Sequence, residues 1–114
     1  MSSSLSFTWL GHATFLLQTA GGTRVLLDPW IATNPSCPPA AKNVGAVDLM
    51  LLTHAHFDHT ADAVEIARAT EAQVVAPFEL SSWLQRKGVK NVVGMNPGGT
   101  LQAGGIAVTM VGFG

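Results

Sequence analysis

Residues 47–59 read VDLMLLTHAHFDH and decide the fold. The first six residues form an almost continuous apolar run, which is typical of a strand buried on both faces of a sheet. His54, His56, Asp58 and His59 follow directly. Sheets of the α/β class place their functional sites at the carboxyl ends of such strands. The stretch therefore predicts a buried strand that ends in a site.

The spacing of the polar cluster indicates metal binding. In an extended segment residues i and i+2 point the same way, so His54 and His56 can present their imidazoles to one ion. Asp58 and His59 fall in the following turn and can face the same pocket, ready for a second ion. Imidazole and carboxylate groups suit zinc, manganese or iron. We predict one or two divalent ions, Zn by preference with Mn or Fe as alternatives.

A metal in this position points to hydrolysis, because it lowers the pKa of bound water to roughly 7. The competing interpretation is that these are ordinary polar loop residues. However, no requirement of the fold brings three imidazoles and a carboxylate together after an apolar strand.

The pattern on either side of this stretch predicts an α/β domain with a mixed sheet and two helices. The first helix is expected from Asp62 to Thr70, with Asp62 as N-cap and Glu65 three residues later. The second is expected from Glu79 to Lys87, with Gly88 as its stop signal. Strands are predicted at 5–10, 13–19, 24–27, 47–52, 73–76, 91–94, 100–102 and 106–111.

Composition narrows the class of partner. The net charge is −1, which offers no basic field for nucleic acid or an anionic membrane. Charged residues make up 11% of the chain and hydrophobic residues 47%, whereas charged residues usually contribute about 25%. We expect a small-molecule substrate, no nucleic acid and no membrane. The low charge has two explanations: a Gly/Ala-rich sequence from a composition-biased genome, or a surface that is covered in part by a partner.

The single cysteine and the first residues suggest a location. Cys37 has no partner for an internal disulfide, which suits a reducing compartment. The stretch before the first basic residue, Arg24, has no charged leader, and no apolar run approaches the ~20 residues of a membrane helix. We expect a cytoplasmic protein.

Three further segments accompany the histidine cluster in a family resemblance. They are residues 8–15 (TWLGHATF), 26–29 (LLDP) and 94–99 (GMNPGG). With the H-x-H-x-D-H pattern of residues 54–59, they resemble the metallo-β-lactamase superfamily, in its metal-dependent hydrolase branch. That branch is similar to ascorbate-6-phosphate lactonase. The resemblance covers nearly the whole chain and implies hydrolysis of an ester, a lactone or a phosphodiester.

The resemblance also implies roles for individual residues. His54 and His56 would bind the first metal, and Asp58 and His59 the second. Asp58 would also orient the attacking water or carry a proton, and His12 would contact substrate or leaving group, which makes Asp58 and His12 the catalytic candidates. Asp28 would hold the ligand loop by hydrogen bonds. From the residues alone, Asp28 is equally an aspartate that forms a turn before proline, and His12 a hydrogen-bonded histidine at a strand end.

The same resemblance implies half of an αβ/βα sandwich. Members of the family carry a further histidine, a bridging aspartate and another histidine beyond the segment matched here. No histidine follows His59 and no aspartate follows Asp62 in this chain. We therefore expect a single domain over residues 1–114, truncated after the N-terminal half. Either it works as a hydrolase with a second copy or a complementary C-terminal half, or it is a catalytically incomplete fragment or metal-binding association module.

Overall fold

The computed structural model describes residues 4–112, which form a six-stranded mixed sheet with its strands side by side in chain order. Residues 1–3 and 113–114 of the predicted domain lie outside the described residues. The strands are β1 (Ser6–Trp9), β2 (Phe15–Gln18), β3 (Arg24–Leu27), β4 (Leu49–Leu51), β5 (Gln73–Pro77) and β6 (Val92–Met95). The first three run antiparallel, and β3 to β6 run parallel. Two more strands, β7 (Thr100–Ala103) and β8 (Ile106–Thr109), form a separate hairpin.

The helices agree with the sequence pattern except for two short additions, of which one is a 3-10 turn at Pro39–Ala41. The two predicted helices are present as α2 (Ala63–Thr70) and α3 (Phe78–Arg86), so the predicted α/β class is confirmed. A single turn, α1 (Phe57–Thr60), occupies the segment expected to be an open turn. It is too short to show helical periodicity in the sequence. Within residues 4–112, no helix is long and apolar enough to cross a membrane.

The residues predicted to end α3 and to begin α2 are in place, but only one of them makes the expected local hydrogen bonds. Gly88 ends α3 as expected, at φ 88°, with the amide of Val89 donating to the carbonyl of Leu84. Asp62 stands at the predicted N-cap position of α2, but its side chain makes no capping hydrogen bond. Its carboxylate instead accepts from the backbone amides of Ile31 (2.6 Å) and Ala32 (3.1 Å). The amide of Ile31 needs an acceptor in the protein because Ile31 is buried.

Alternation along the strands divides the core into two layers. Leu49 and Met50 are neighbours in β4, yet both are fully buried, because they lie on opposite faces of the sheet. Met50 belongs to the larger layer, which Leu80 and Leu84 of α3 help to build. Leu49 belongs to the smaller layer, which receives Ala103 from the hairpin. The strand therefore sits at the centre of the domain, as its apolar run predicts.

The smaller layer leaves part of its sheet face open. Phe7 pairs with Leu17, and Leu17 pairs with Val25, so Phe7 shares a face with this layer. Trp9 lies two residues further along β1 on the same face. The exposures of Phe7 and Trp9 are 67% and 60%. An apolar sheet surface therefore continues beyond the hairpin to the edge strand.

Candidate metal centre

The sheet brings Asp28 next to the histidine loop. Strands β3 and β4 are parallel neighbours with Leu27 opposite Leu51, so their carboxyl ends lie side by side. The amide of Asp28 donates to the carbonyl of Leu51 at 3.0 Å. Asp28 has a positive φ of 44°, a region that residues with a side chain seldom adopt.

The carboxylate of Asp28 joins both ends of the histidine loop. It is buried, and it accepts from the amide of Thr53 at 2.8 Å and from the Thr53 hydroxyl at 2.7 Å. Its Oδ2 also lies 2.9 Å from Nδ1 of His59. A carboxylate only accepts, so Nδ1 of His59 carries the proton of this bond. Consequently Nε2 of a neutral His59 has a free lone pair.

Thr53 fixes the tautomer of His54, as Asp28 fixes that of His59. Its hydroxyl proton goes to Asp28, so toward Nδ1 of His54, at 2.8 Å, the oxygen acts as acceptor. Nδ1 of His54 is then the N–H, and Nε2 keeps its lone pair. Two imidazoles of the loop are thus held in the tautomer that leaves Nε2 available to a metal.

The structure brings all the predicted site residues together. The ring centroids of His54 and His56 are 4.6 Å apart, and those of His54 and His59 are 4.0 Å apart. The His12 ring lies 5.4 Å from that of His59. Asp58 lies between His12 and His59, with Nε2 of His12 at 3.3 Å and Nε2 of His59 at 3.8 Å from its carboxylate oxygens.

The ligand atoms group differently from the sequence prediction. Among the described residues, His12, Asp58 and His59 offer ligand atoms that all lie within 4.8 Å of one another. His12 thus lies with the Asp58–His59 pair, while the rings of His54 and His56 meet edge to face beside it. The donors are nitrogen and carboxylate oxygen, which is the set that divalent zinc, manganese or iron accepts, so the residues present fit such an ion.

The electrostatics of the loop favour neutral imidazole at His54. Partial burial lowers the pKa of His54 below the ordinary value of 6.5, and the neighbouring His59 and His56 lower this pKa further. A histidine must be neutral to bind a metal. His54 therefore keeps its binding form to a lower pH than a free imidazole.

Two threonines and a tryptophan at the site were not anticipated from the sequence. Thr53 bridges Asp28 and His54, as described above. The fully buried hydroxyl of Thr14 donates to the carbonyl of Asp28 at 2.7 Å and accepts from the amide of Trp30 at 3.1 Å. The Trp30 ring meets the edge of His12 at 5.5 Å. Only the position of Thr53 directly before His54 gives any signal of its role.

Comparison with known proteins gives a family match. A family model described as the beta-lactamase superfamily domain matches residues 6–113. The chain is 58% identical over 107 residues to a UPF0173 metal-dependent hydrolase of Koribacter versatilis, covering 94% of this chain and 46% of that protein. It is 49% identical over 107 residues to one of Archaeoglobus fulgidus, covering 94% and 45%. The chain thus spans about half the length of the curated relatives it matches.

Solved structures share the fold. Igni18, a novel metallo hydrolase of Ignicoccus hospitalis, matches with a TM-score of 0.71 and 30% identity, covering 87% of this chain and 43% of that one. CmlA, a diiron β-hydroxylase of Streptomyces venezuelae, matches with a TM-score of 0.78 and 24% identity, covering 99% and 24%. The second likeness concerns the fold alone. Together these matches confirm the predicted resemblance and its restriction to one half.

The pKa of His54 gives a test of the loop in the metal-free protein. Its imidazole should titrate below 6.5, as followed by NMR of the ring protons. His59→Asn removes one positive neighbour and should therefore raise the pKa of His54. The pKa should still stay below 6.5, because burial is the larger cause. The free energy of unfolding should fall as the pH drops from 6.5 through the folded pKa, since the unfolded state then binds more protons. A His54 titration above 6.5 would contradict the described surroundings.

Proposed function

Since the chain belongs to the β-lactamase superfamily, we propose that it is the site-bearing half of a metal-dependent hydrolase. Metal-activated water would attack an ester, a lactone or a phosphodiester. The observation that carries the proposal is the convergence of His12, His54, Asp58 and His59, with hydrogen bonds that leave Nε2 of His54 and His59 open. The similar proteins of Koribacter versatilis and Archaeoglobus fulgidus are themselves named metal-dependent hydrolases.

In this proposal His54 and His56 hold one divalent ion, and Asp58 and His59 hold a second. A bound ion supplies a Lewis acid that activates water near neutral pH. Zinc is the preferred metal and manganese or iron the alternatives, because the donors are imidazole nitrogen and carboxylate oxygen. Asp28 fixes the loop by its bonds to Thr53 and His59.

The chain's own catalytic candidates are Asp58 and His12. The Asp58 side chain is 40% exposed, so its carboxylate is accessible to water and can orient it or accept its proton. His12 is equally open, at 41%, and its Nε2 lies 3.3 Å from that carboxylate. Both side chains are therefore accessible to solvent and to a substrate that approaches the histidine loop.

A groove beside the loop supports a small-molecule substrate. It encloses about 560 Å³ and is largely apolar. The residues around it are Ala55, Phe57, Thr60, Ala61, Glu79, Leu80 and Trp83. Because Ala55 and Phe57 belong to the histidine loop itself, the apolar part of an ester or lactone can lie here with its carbonyl at the cluster.

The alternative proposal is a catalytically incomplete module that needs a second chain. It is favoured by the short match to the relatives and by the ligand count, because catalytic zinc usually has three protein ligands. The open face around Phe7 and Trp9 supports a partner, since exposed apolar patches mark association surfaces. We propose that either the complementary C-terminal half or a second copy of the chain covers it. Buried Cys37 is compatible with the proposed cytoplasmic location.

Removing one loop histidine tests the metal mechanism. His56→Ala should abolish zinc-dependent hydrolysis of p-nitrophenyl acetate, a simple lactone and bis(p-nitrophenyl) phosphate, because a ligand is lost while the exposed side chain leaves the core untouched. Gln85→Ala, at an exposed position of α3, is the matched control and should keep the wild-type rate. Hydrolysis that survives in His56→Ala would contradict the mechanism. No turnover by the wild type would favour the alternative module.

Light scattering tests the open face. The purified chain should be a dimer or a larger species, because Phe7 and Trp9 present an apolar surface on edge strand β1. Replacing both with threonine, which suits a strand, should shift the chain toward monomer. Thr8→Ser, on the other face of β1, should leave the size unchanged. A sharp monomer peak for the wild type would contradict the proposed association.

A further inference from the structure

We propose that His12 is a metal ligand, the third that this chain supplies to the ion held by Asp58 and His59. This inference rests on the proposed metal site and changes the part that His12 plays in it. The residue would bind the ion through Nε2, and contact with substrate or leaving group would be secondary.

The distances suit a shared ion. Zinc lies about 2.0–2.2 Å from nitrogen or oxygen ligands, so in a tetrahedral site neighbouring ligand atoms are about 3.4 Å apart. Nε2 of His12 lies 3.3 Å from Oδ2 of Asp58, and Nε2 of His59 lies 3.8 Å from Oδ1. The ligand atoms of the three residues all lie within 4.8 Å of one another. Small side-chain rotations are enough to close such a set on one ion.

The donors are also directed correctly. Nδ1 of His59 is taken by Asp28 at 2.9 Å, which turns Nε2 toward Asp58. The His12 ring is held by edge contacts with Trp30, at 5.5 Å, and with His59, at 5.4 Å. His12 therefore meets Asp58 with a nitrogen rather than with a carbon edge of its ring.

The backbone of His12 is held in an unfavourable conformation. Its φ is 54°, in a region that residues other than glycine seldom adopt. Gly11 before it has φ 99°, and a Cβ there would lie 2.8 Å from the backbone of Ser36. The indole N–H of Trp9 donates to the carbonyl of His12 at 2.8 Å. Strain of this kind concentrates at functional sites, which agrees with a positioned ligand.

A simple ion pair between His12 and Asp58 is the main competing explanation. The two explanations differ in the sign of their effect on metal binding. A histidine that only pairs with Asp58 competes with the metal for that carboxylate, so its removal should leave affinity unchanged or raise it. If His12 is a ligand, its removal should lower the affinity for the metal.

The test compares wild type with His12→Gln. The glutamine amide can still donate to Asp58, but it is a poor zinc ligand. Zinc affinity, measured by competition with a chromophoric chelator, should fall by more than the roughly 10–100-fold typical of losing an outer hydrogen-bond partner. In the wild type, the ¹⁵N resonance of His12 Nε2 should move to the metal-bound range when zinc is added. His12→Asn, which tolerates positive φ better, repeats the affinity measurement without the backbone strain.

Each outcome decides between the claims. Loss of affinity in both variants, together with the ¹⁵N shift, supports His12 as a ligand. Affinity within about 100-fold of wild type, or an unmoved His12 resonance in zinc-loaded protein, overturns it and leaves the proposed hydrolase standing. A wild-type chain that binds neither zinc nor manganese nor iron overturns the proposed function as well. Circular dichroism of each variant confirms that the fold is kept.

Discussion

The site depends on one buried carboxylate. Asp28 closes β3 at the point where β4 releases the histidine loop, and it holds Thr53 at the start of the loop and His59 at its end. Burying a charged group is costly unless it is fully hydrogen-bonded. The buried carboxylate and the ordered loop therefore require each other. The tautomers of His54 and His59 are consequences of this arrangement.

The site lies at the carboxyl ends of β3 and β4, two central strands of a sheet whose faces are covered to different extents. The larger core layer is covered by α2 and α3, which bury one face of the sheet. The smaller layer is closed by the hairpin only in part, and it continues into the exposed Phe7 and Trp9. The histidine loop leaves the sheet where these two environments meet. A second layer of protein against the open face would therefore stand beside the proposed metal ligands, where it can contribute further groups.

Much of the fold was predictable because the signals are local. The apolar run before Thr53, the stop at Gly88 and the two helical segments each express a rule that acts within a few residues. Asp62 occupies the predicted N-cap position, but its carboxylate serves a distant loop and makes no bond to the helix end. The carboxylate of Asp62 accepts instead from the amides of Ile31 and Ala32, which lie far away along the chain. Single-turn α1 gave no periodic signal at all.

The candidate site was predictable to a similar depth. The histidine spacing indicates the ligands, and the family resemblance adds His12 and Asp28. The grouping of His12 with Asp58, however, depends on a glycine-led turn and on the ring of Trp30, which come from separate segments. The hydroxyls of Thr14 and Thr53 carry no distinctive sequence signal, because threonine is common in strands and turns. Such contacts become visible only once the sheet has aligned β3 with β4.

The most direct measurement is the metal retained per chain, by mass spectrometry, after dialysis of wild type and Asp28→Asn against metal-free buffer containing graded amounts of zinc. Asparagine keeps the shape of the side chain, but its single amide oxygen cannot replace both carboxylate oxygens, which together accept from the Thr53 amide, the Thr53 hydroxyl and His59. The wild type should retain at least one ion per chain, and the variant should need roughly 10–100-fold more free zinc to reach the same occupancy. Equal retention by both proteins would contradict the claim that the Asp28 carboxylate organises the metal site. A wild type that retains no metal would contradict the site itself.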